Sequence, residues 1–446
     1  MVAKSSEKFG EKFMMPVWMR LSVCTTVLTS ILGSAESLPL QHAIRLAVAH
    51  SAEMAIAEAD VRKATAAYVE TRSAYIPQLG VGSNAGYAYG FPLSLEGAAP
   101  TLFNVTTQSS VWNPALREFV RSADSERKTS EAQSREQREQ VILDTTLVYI
   151  DLDKAEEKRS ILLSEAKVAA ELEREEGLRV QQGIDSLTEQ TKAKLVSALL
   201  RVQIAQTEGA IDVLRTRLAQ LTGLPADSIE TVRQSIPLIE NDGQSENLES
   251  VAIQSSAAVE AANESALARQ LRAKGEHKGL YPTADFAAQY GLISTTLTNY
   301  EQFFVPHSFH AENVTVGLVL RLNILNASQR AKAASADAEA LRAEKQAEQV
   351  RNRVVVDSLK LRHDVEQFAA SADVAQLRCQ LAQTQLDAAQ SRVQSETGGF
   401  REVQNAAIDA ANRALERIDA DFDLEKAQLQ LLRATGKLEN WALSKR

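Results

Sequence analysis

The sequence predicts a mainly α-helical protein that also carries a small number of membrane β-strands. Three copies would close a twelve-stranded β-barrel, with four strands from each chain, and a long barrel of coiled-coil helices would continue it. Three observations predict this class. Stretches of over a hundred residues follow Pro114 and Pro306 without another proline. Two pairs of segments alternate with period two, and the same order of helices and strands occurs twice.

Composition already excludes several classes of protein. The chain has 446 residues, a net charge of -9, 44% hydrophobic residues and only 5% aromatic residues. A nucleic-acid-binding protein needs a basic face to displace counterions from phosphates, so the acidic balance argues against nucleic acid as a partner. The long stretches without proline read as very long helices, which argues against doubly wound and barrel enzymes.

Residues 1–35 have the layout of a secretory signal peptide. Basic residues precede an apolar run over 21–32, and small residues at 33–35 form a cleavage site. Cys24 lies at the start of this run, where lipoprotein processing would have no hydrophobic segment ahead of it, so plain cleavage is preferred and lipidation of Cys24 stays open. After this segment no run of 18 apolar residues occurs, so a membrane role would require β-strands.

The first predicted repeat covers residues 36–246. A helix over 41–74 ends at Ile76-Pro77, and a strand pair follows over about 79–112. In the first strand, which runs to Phe91, apolar residues share one face and mainly glycines the other. A helical hairpin spans about 115–222: a coiled-coil helix of roughly 100 Å, a break at 183–186 and a return helix. Residues 223–246 read as an irregular segment.

The second predicted repeat covers residues 247–446. It contains a helix over 248–278, a strand pair over about 283–325, a long helical hairpin over about 327–435 and a C-terminal tail. Arg179 aligns with Arg392, and Thr222 aligns with Thr435, at the same offset of 213 residues. This constant offset indicates an internal duplication.

The number of strands predicts a homotrimer. Four strands cannot close a barrel, and an open sheet edge in lipid leaves backbone groups unpaired at several kcal/mol each. Three chains would supply twelve strands, with the apolar face towards outer-membrane lipid and the polar face towards water. The alternative is a small soluble sheet on a coiled-coil protein.

The helices leave a second alternative open. Their apolar stripes use mainly alanine, valine and leucine, and polar residues occupy several faces. This pattern favours helices packed side by side into a hollow tube with a wet interior, because a compact bundle needs larger side chains at its centre. A solid antiparallel coiled coil is the alternative.

Several motifs occur in a specific order. The opening helix leads into Tyr75-Ile76-Pro77-Gln78-Leu79, strand pairs separate the long helices, and a helix-turn-helix tip occurs twice. Both hairpins close on a Leu-x-x-x-x-Gly pattern, at Leu218 to Gly223 and at Leu431 to Gly436. In these features the chain resembles the outer-membrane efflux protein family, the TolC-type channel tunnels.

The resemblance implies a function and partners. Members of this family are trimeric exit ducts in the outer membrane, with helices that extend into the periplasm. They work with a periplasmic adaptor (membrane fusion) protein and an inner-membrane pump of the RND or ABC type, in tripartite efflux or type I secretion. The runner-up is a soluble periplasmic coiled-coil scaffold or adaptor without a pore. The sequence does not identify the transported substrate, because a conduit makes few specific contacts with its cargo.

The resemblance also implies roles for residues at the two tips. Glu189 and Glu402, which correspond under the offset, would form an acidic ring at the periplasmic entrance, and a second acidic position of the family falls on Asn405. The alternative is that these acids only complement helix dipoles. Candidate adaptor-docking residues are Gly183, Ile184, Ser186, Leu187, Gly398, Gly399 and Phe400. Arg179 and Arg392 are candidates to pair with acids and hold the tips shut, and Asp185 and Asn405 are further candidates for gate or tip contacts.

No catalytic residues, cofactor or metal site are predicted. The nearest pair of histidines, His307 and His310, lies in a predicted external loop without a cysteine or clustered carboxylates to complete a zinc site. The sequence has no glycine-rich phosphate loop and no nucleophile elbow. The energy for transport would therefore come from partner proteins.

Overall fold

The computed structural model describes residues 36–90, 100–239, 248–308, 310–322, 326–395 and 400–443. The predicted signal peptide with Cys24, the predicted strand end at Phe91, and residues 240–247, 323–325 and 396–399 lie outside these ranges. Within them, the chain is mostly helical and carries a small antiparallel sheet. None of the described helices combines the length and the apolar content that a membrane-spanning helix needs.

The first half of the chain contains four α-helices and four strands within the described ranges. In chain order these are β1 (Glu36–Leu38), α1 (Leu40–His50), α2 (Ala52–Ser73), β2 (Gln78–Asn84), β3 (Thr101–Trp112), α3 (Pro114–Gln181), α4 (Leu187–Thr222) and β4 (Ile229–Thr231). The 68-residue α3 begins where the sequence switches period. Asn113 caps it by accepting hydrogen bonds from the N–H groups of Ala115 and Leu116.

The second half follows a similar plan. Its elements are α5 (Leu248–Ser255), α6 (Ala257–Lys278), β5 (Thr283–Ile293), β6 (Glu312–Arg321), α7 (Ala327–Gln394), α8 (Phe400–Ala434) and α9 (Leu438–Leu443). The helix α7 also has 68 residues, and Asn326 caps it through a 2.9 Å hydrogen bond from the N–H of Gln329. The two long hairpins therefore match the predicted helices to within one or two residues.

Four strands form one antiparallel sheet in the order β2-β3-β5-β6, with β2 and β6 at its edges. The prediction that the first strand continues to Phe91 was wrong, because β2 ends at Asn84. Asn84 pairs with Thr101, where β3 begins, and this is the last pairing between the described residues of the two strands. Further along, a single bridge joins Ala88 to Thr298.

The two predicted helices that precede the strand pairs are each divided. The predicted helix over 41–74 breaks at Ser51, and the one over 248–278 breaks at Ser256. Both serines have an extended backbone, and Ser256 caps α6 by accepting a 3.3 Å hydrogen bond from the N–H of Val259. Serine favours this position because its hydroxyl satisfies a free N–H at a helix start, and periodicity alone did not reveal the break.

The segment over 223–246, predicted to be irregular, contains a strand. β4 pairs in parallel with β1, and this short pair was not predicted. The hydroxyl of Tyr149 in α3 fixes it, because it donates to the carbonyl of Leu38 and accepts from the N–H of Val232, both over 2.6 Å. Tyr149 is fully buried in the largest hydrophobic cluster, which lies midway along the helices where α1, α9 and the β1–β4 pair pack against α3.

The long helices lie side by side. α3 packs against α2, α4, α6 and α8, and α7 packs against α6 and α8. Alanines at intervals of three or four residues in α7, such as Ala343 and Ala347, pack against Ala266 of α6. Small side chains allow a close approach of the helices without a wide core. This packing resembles the predicted wall of helices more than a solid bundle.

Candidate functional site

The first hairpin turns at residues 182–186, between α3 and α4. Gly183 has a φ of 72°, in the left-handed region that glycine adopts without strain. Its N–H donates to the carbonyl of Val180 over 3.0 Å, and the N–H of Ile184 donates to the carbonyl of Arg179 over 2.9 Å. These bonds satisfy carbonyl groups at the end of α3, so the chain reverses within a few residues and α4 begins after Ser186.

The first tip presents apolar side chains and an internal ion pair. Ile184 and Leu187, two of the candidate adaptor-docking residues, are 59% and 72% exposed. Arg179 Nε donates to Asp185 Oδ2 across the turn. This hydrogen bond from Arg179 holds the pKa of Asp185 below its ordinary value. The acid that Arg179 contacts is therefore Asp185.

Arg401 connects the second hairpin to the first. Its Nε lies 3.1 Å from Glu176 Oε1 of α3, and its Nη2 lies 3.1 Å from Asp185 Oδ1 at the first tip. Its Nη1 lies 3.7 Å from Glu189 Oε2. The Glu176 side chain is only 6% exposed, so Arg401 supplies the countercharge that a buried carboxylate requires. One guanidinium thus joins three acids of the other hairpin.

The second hairpin has its own ion pair. Arg392 near the end of α7 contacts Glu402 in the first turn of α8. Asn405 is exposed one turn further along α8. Phe400 begins α8, whereas Gly398 and Gly399 lie outside the described residues.

Both predicted ring acids are paired within the single chain. Glu402 contacts Arg392, and Glu189 contacts Arg401 as well as Lys192, whose Nζ lies 2.9 Å from Glu189 Oε1. An acidic ring with unpaired carboxylates therefore requires these pairs to separate. Across the described residues, no group of three or more His, Cys, Asp or Glu side chains is placed to hold a metal ion.

Arg401 and Glu176 were missed by the sequence analysis, although the heptad pattern of α3 contained a signal. Leu162, Ala169 and Glu176 follow one another at intervals of seven, and all three are buried. A charged residue at a core position of a coiled coil predicts a buried ion pair. The position that corresponds to Glu176 in the second hairpin is Ala389, so the contact has no counterpart there.

The four-stranded sheet separates apolar from polar side chains. Val81, Val105, Tyr290 and Val314 lie opposite one another in register across all four strands. Side chains on this apolar face include Val81, Val105, Phe286, Tyr290, Val314, Val316, Leu318 and Leu320. Side chains on the opposite, polar face include Asn104, Thr106, Gln108, Asp285, Gln289, Thr315 and Arg321. The apolar face is open in the single chain, with exposures of 66% at Val314 and 78% at Leu320.

Solved structures of outer-membrane channels share this fold. VceC from Vibrio cholerae is 19% identical, with a TM-score of 0.72 over 89% of this chain and 96% of that one. The CmeC channel of Campylobacter jejuni is 16% identical, with a TM-score of 0.71 over 90% and 86% of the two chains. The open state of the Neisseria gonorrhoeae MtrE channel is 15% identical, with a TM-score of 0.71 over 93% and 94%.

These likenesses confirm the predicted resemblance to TolC-type channels at the level of the fold. They extend over most of this chain and most of each channel chain. No family model matches the sequence, and no curated protein sequence matches it either.

Proposed function

We propose that three copies of this chain form an outer-membrane exit duct, a passive channel that opens at its periplasmic helix tips. The observation that carries this proposal is the open apolar face of the sheet, which extends in register over four strands. A soluble protein rarely leaves so large an apolar face in water, whereas lipid covers it at no cost.

The order of the strands supports closure by neighbouring copies. The edge strands β2 and β6 run in opposite directions, because three antiparallel pairings separate them. When β6 of one copy lies beside β2 of the next, that pairing is again antiparallel. Three copies then give an even-numbered barrel of twelve strands without a free edge.

The partners and the location follow from the same proposal. Outer-membrane localisation is supported by the fold shared with VceC, CmeC and MtrE, each described as an outer-membrane protein or channel. A passive duct needs an energy source, so we propose a periplasmic adaptor and an inner-membrane pump of the RND or ABC type as partners. The exposed Ile184 and Leu187 support docking of the adaptor at the first tip.

The ion pairs at the tips support a gate. In the proposed closed state, Arg401 holds the two hairpins of each chain together, and Arg179 and Arg392 pair with Asp185 and Glu402. Separation of these pairs would widen the entrance and expose the carboxylates of Glu189 and Glu402. Three copies would place up to six carboxylates around it, which favours cations and can bind trivalent metal ions.

Single-channel recording of the purified protein in planar bilayers tests this function. We expect a cation-selective conductance that increases several-fold in Arg401→Gln, because the neutral side chain no longer holds Glu176 and Asp185. The matched control is Arg413→Gln, since Arg413 forms ion pairs only within α8, with Asp409 and Glu416, among the described contacts. We also expect Glu189→Ala combined with Glu402→Ala to reduce cation selectivity and block by trivalent ions.

Each part of the proposal has its own contradicting result. A soluble monomer without conductance would favour the periplasmic scaffold instead of a duct. An unchanged conductance in Arg401→Gln would reject the gate, and an unchanged selectivity in the double alanine variant would reject the acidic ring.

A further inference from the structure

The loop between β5 and β6 packs against one face of the sheet at the end of β5. Ile293, the last residue of β5, is in phase with Asp285 and Gln289 on the polar face, since side chains alternate along a strand. Ile293 is only 3% exposed because it packs against Tyr300 of this loop and against Ala88. A group that buries a polar-face residue lies on that face, so residues 294–305, here named the strap, lie on the polar side of the sheet at the end where β5 stops.

The strap is pinned to the chain that follows β2. The N–H of Ala88 donates to the carbonyl of Leu297 over 3.0 Å, and the N–H of Gly90 donates to Asn299 Oδ1 over 2.9 Å. Gly90 has a φ of 116°, which is strained for any residue with a side chain. A glycine at this position therefore allows its N–H to reach the strap.

The base of the strap is fixed as well. Ser294 is 1% exposed, and its N–H donates to the carbonyl of Pro100 over 2.9 Å. Its hydroxyl oxygen accepts a 3.2 Å hydrogen bond from the N–H of Leu297. The strap is thus held at its base by the chain that enters β3 and near its middle by the chain that leaves β2.

We infer that the strap is a second constriction of the duct, at the end opposite the helix tips, and that it determines the largest solute that enters from outside. This inference rests on the proposed function, in which the polar face lines water. Three copies would each place one strap inside the barrel mouth. Glu301 is the one acidic or basic side chain among residues 294–305, so the uncharged side chains of the strap limit passage by size, and three copies would add three carboxylates to the constriction.

Cysteine labelling of intact cells from outside tests the strap. The reporter is Gln289→Cys, on the polar face about 13 Å from Ile293 along β5. Its matched control is the neighbouring Ala288→Cys, on the apolar face. Both are made in a Cys379→Ser background, which removes the described free cysteine. The probes are a small membrane-impermeant maleimide and a polyethylene-glycol maleimide several times larger.

With the native strap, we expect the small probe to label Gln289→Cys readily and the large probe to label it slowly. Tyr300→Ala removes the packing on Ile293, and Gly90→Ala weakens the hydrogen bond to Asn299 without changing the strap. Each should speed up labelling by the large probe at least tenfold and leave the small probe nearly unaffected. Val305→Ala is the control within the strap, since Val305 is 74% exposed.

The outcomes separate the strap from the duct. If Ala288→Cys reacts as fast as Gln289→Cys, or if neither reacts with the small probe, the two faces are not divided between lipid and water and the proposed function fails. A different result would overturn only the strap inference. In that result Gln289→Cys reacts and Ala288→Cys does not, but no strap variant changes the labelling rate of either probe, so the proposed duct stands. Should Tyr300→Ala fail to assemble, Gly90→Ala still decides, because among the described residues beyond its chain neighbours no atom lies within 4 Å of the added Cβ.

Discussion

Burial raises the pKa of Glu139 in α3 to about 7, so this carboxyl titrates near neutral pH. The neighbouring Glu136 raises the pKa further by charge repulsion, and Arg433 opposes both effects. Glu139 lines a cavity of about 690 Å³ together with residues of α6, α7 and α8, near the level where α8 ends and α6 begins. At neutral pH the carboxyl of Glu139 is therefore partly protonated in the folded chain.

The direction of the pH effect follows from the raised pKa. A carboxyl that binds its proton more tightly in the folded state stabilises the fold fully below its unfolded pKa, near 4.5, and this contribution is lost as pH rises through about 7. We expect Glu139→Gln to raise the thermal midpoint at pH 8 by a few degrees, on the order of 1 kcal/mol, and to change it little at pH 5.

The matched control for Glu139 is Glu136→Gln, measured by the same thermal unfolding at both pH values. Glu136 Oε1 lies 2.5 Å from Arg433 Nη2, so its neutralisation removes an ion pair and should give no gain at pH 8. An equal gain in both variants would show that general charge repulsion, rather than burial of Glu139, sets the effect.

At the residue scale, the sequence located the tip acids but not the cation that joins the hairpins. Glu189 and Glu402 could be placed because they follow the turns in the chain. The contact of Arg401 with Glu176 connects residues 225 positions apart, and it depends on how α8 packs against α3. Sequence spacing within one helix does not report that packing, although the acid at a heptad position indicated that a partner was needed.

At the element scale, the glycines that end the return helices have a specific role. Gly223 after α4 and Gly436 after α8 both have a positive φ, at 76° and 68°. Each packs against the residue just before a helix break, Gly223 against His50 and Gly436 against Ser255. These breaks were not predicted, because the contact that accompanies each of them comes from a helix end far along the chain.

The two glycines differ in the space available for a side chain. An added Cβ would lie 3.5 Å from His50 at Gly223, which is an ordinary contact, but 2.8 Å from the Cβ of Ser255 at Gly436. A left-handed backbone costs a residue with a side chain about 1–2 kcal/mol at either site. We expect both alanine variants to lower the thermal midpoint in detergent. The midpoint of Gly436→Ala should lie at least a few degrees below that of Gly223→Ala, because its added Cβ meets the closer contact. Equal midpoints would show that Ser255 moves aside freely.

Strands and long helices could be predicted because each carries its own period. Residues alternate in β3, β5 and β6, and heptads repeat in α3 and α7, because each element buries one face. Such a repeat is a local property of the sequence. The pair of β1 with β4 has three residues on each side and no period to detect. Tyr149 stabilises it by bonding Leu38 of β1 and Val232, the residue after β4, which is a tertiary contact.

At the scale of the whole molecule, the proposed trimer depends on which face of the sheet meets lipid. β6 offers a direct test, because Thr315 and Val316 are neighbours on opposite faces of this edge strand and both are exposed in the single chain. Thr315 pairs with Gln289 on the polar face, and Val316 pairs with Ala288 on the apolar face. The two positions therefore share a strand and a depth but not an environment.

We expect Val316→Arg to prevent assembly and Thr315→Arg to permit it. An arginine on the lipid face near the middle of a barrel strand costs about 2–4 kcal/mol per chain, and a trimer bears this cost three times. The same side chain on the polar face keeps its charge in water, so its cost is small. The measurement is the fraction of chain recovered from outer membranes as a trimer that resists dissociation in detergent. Equal yields from the two variants would contradict the assignment of the faces, and the twelve-stranded barrel would then have no lipid-facing wall.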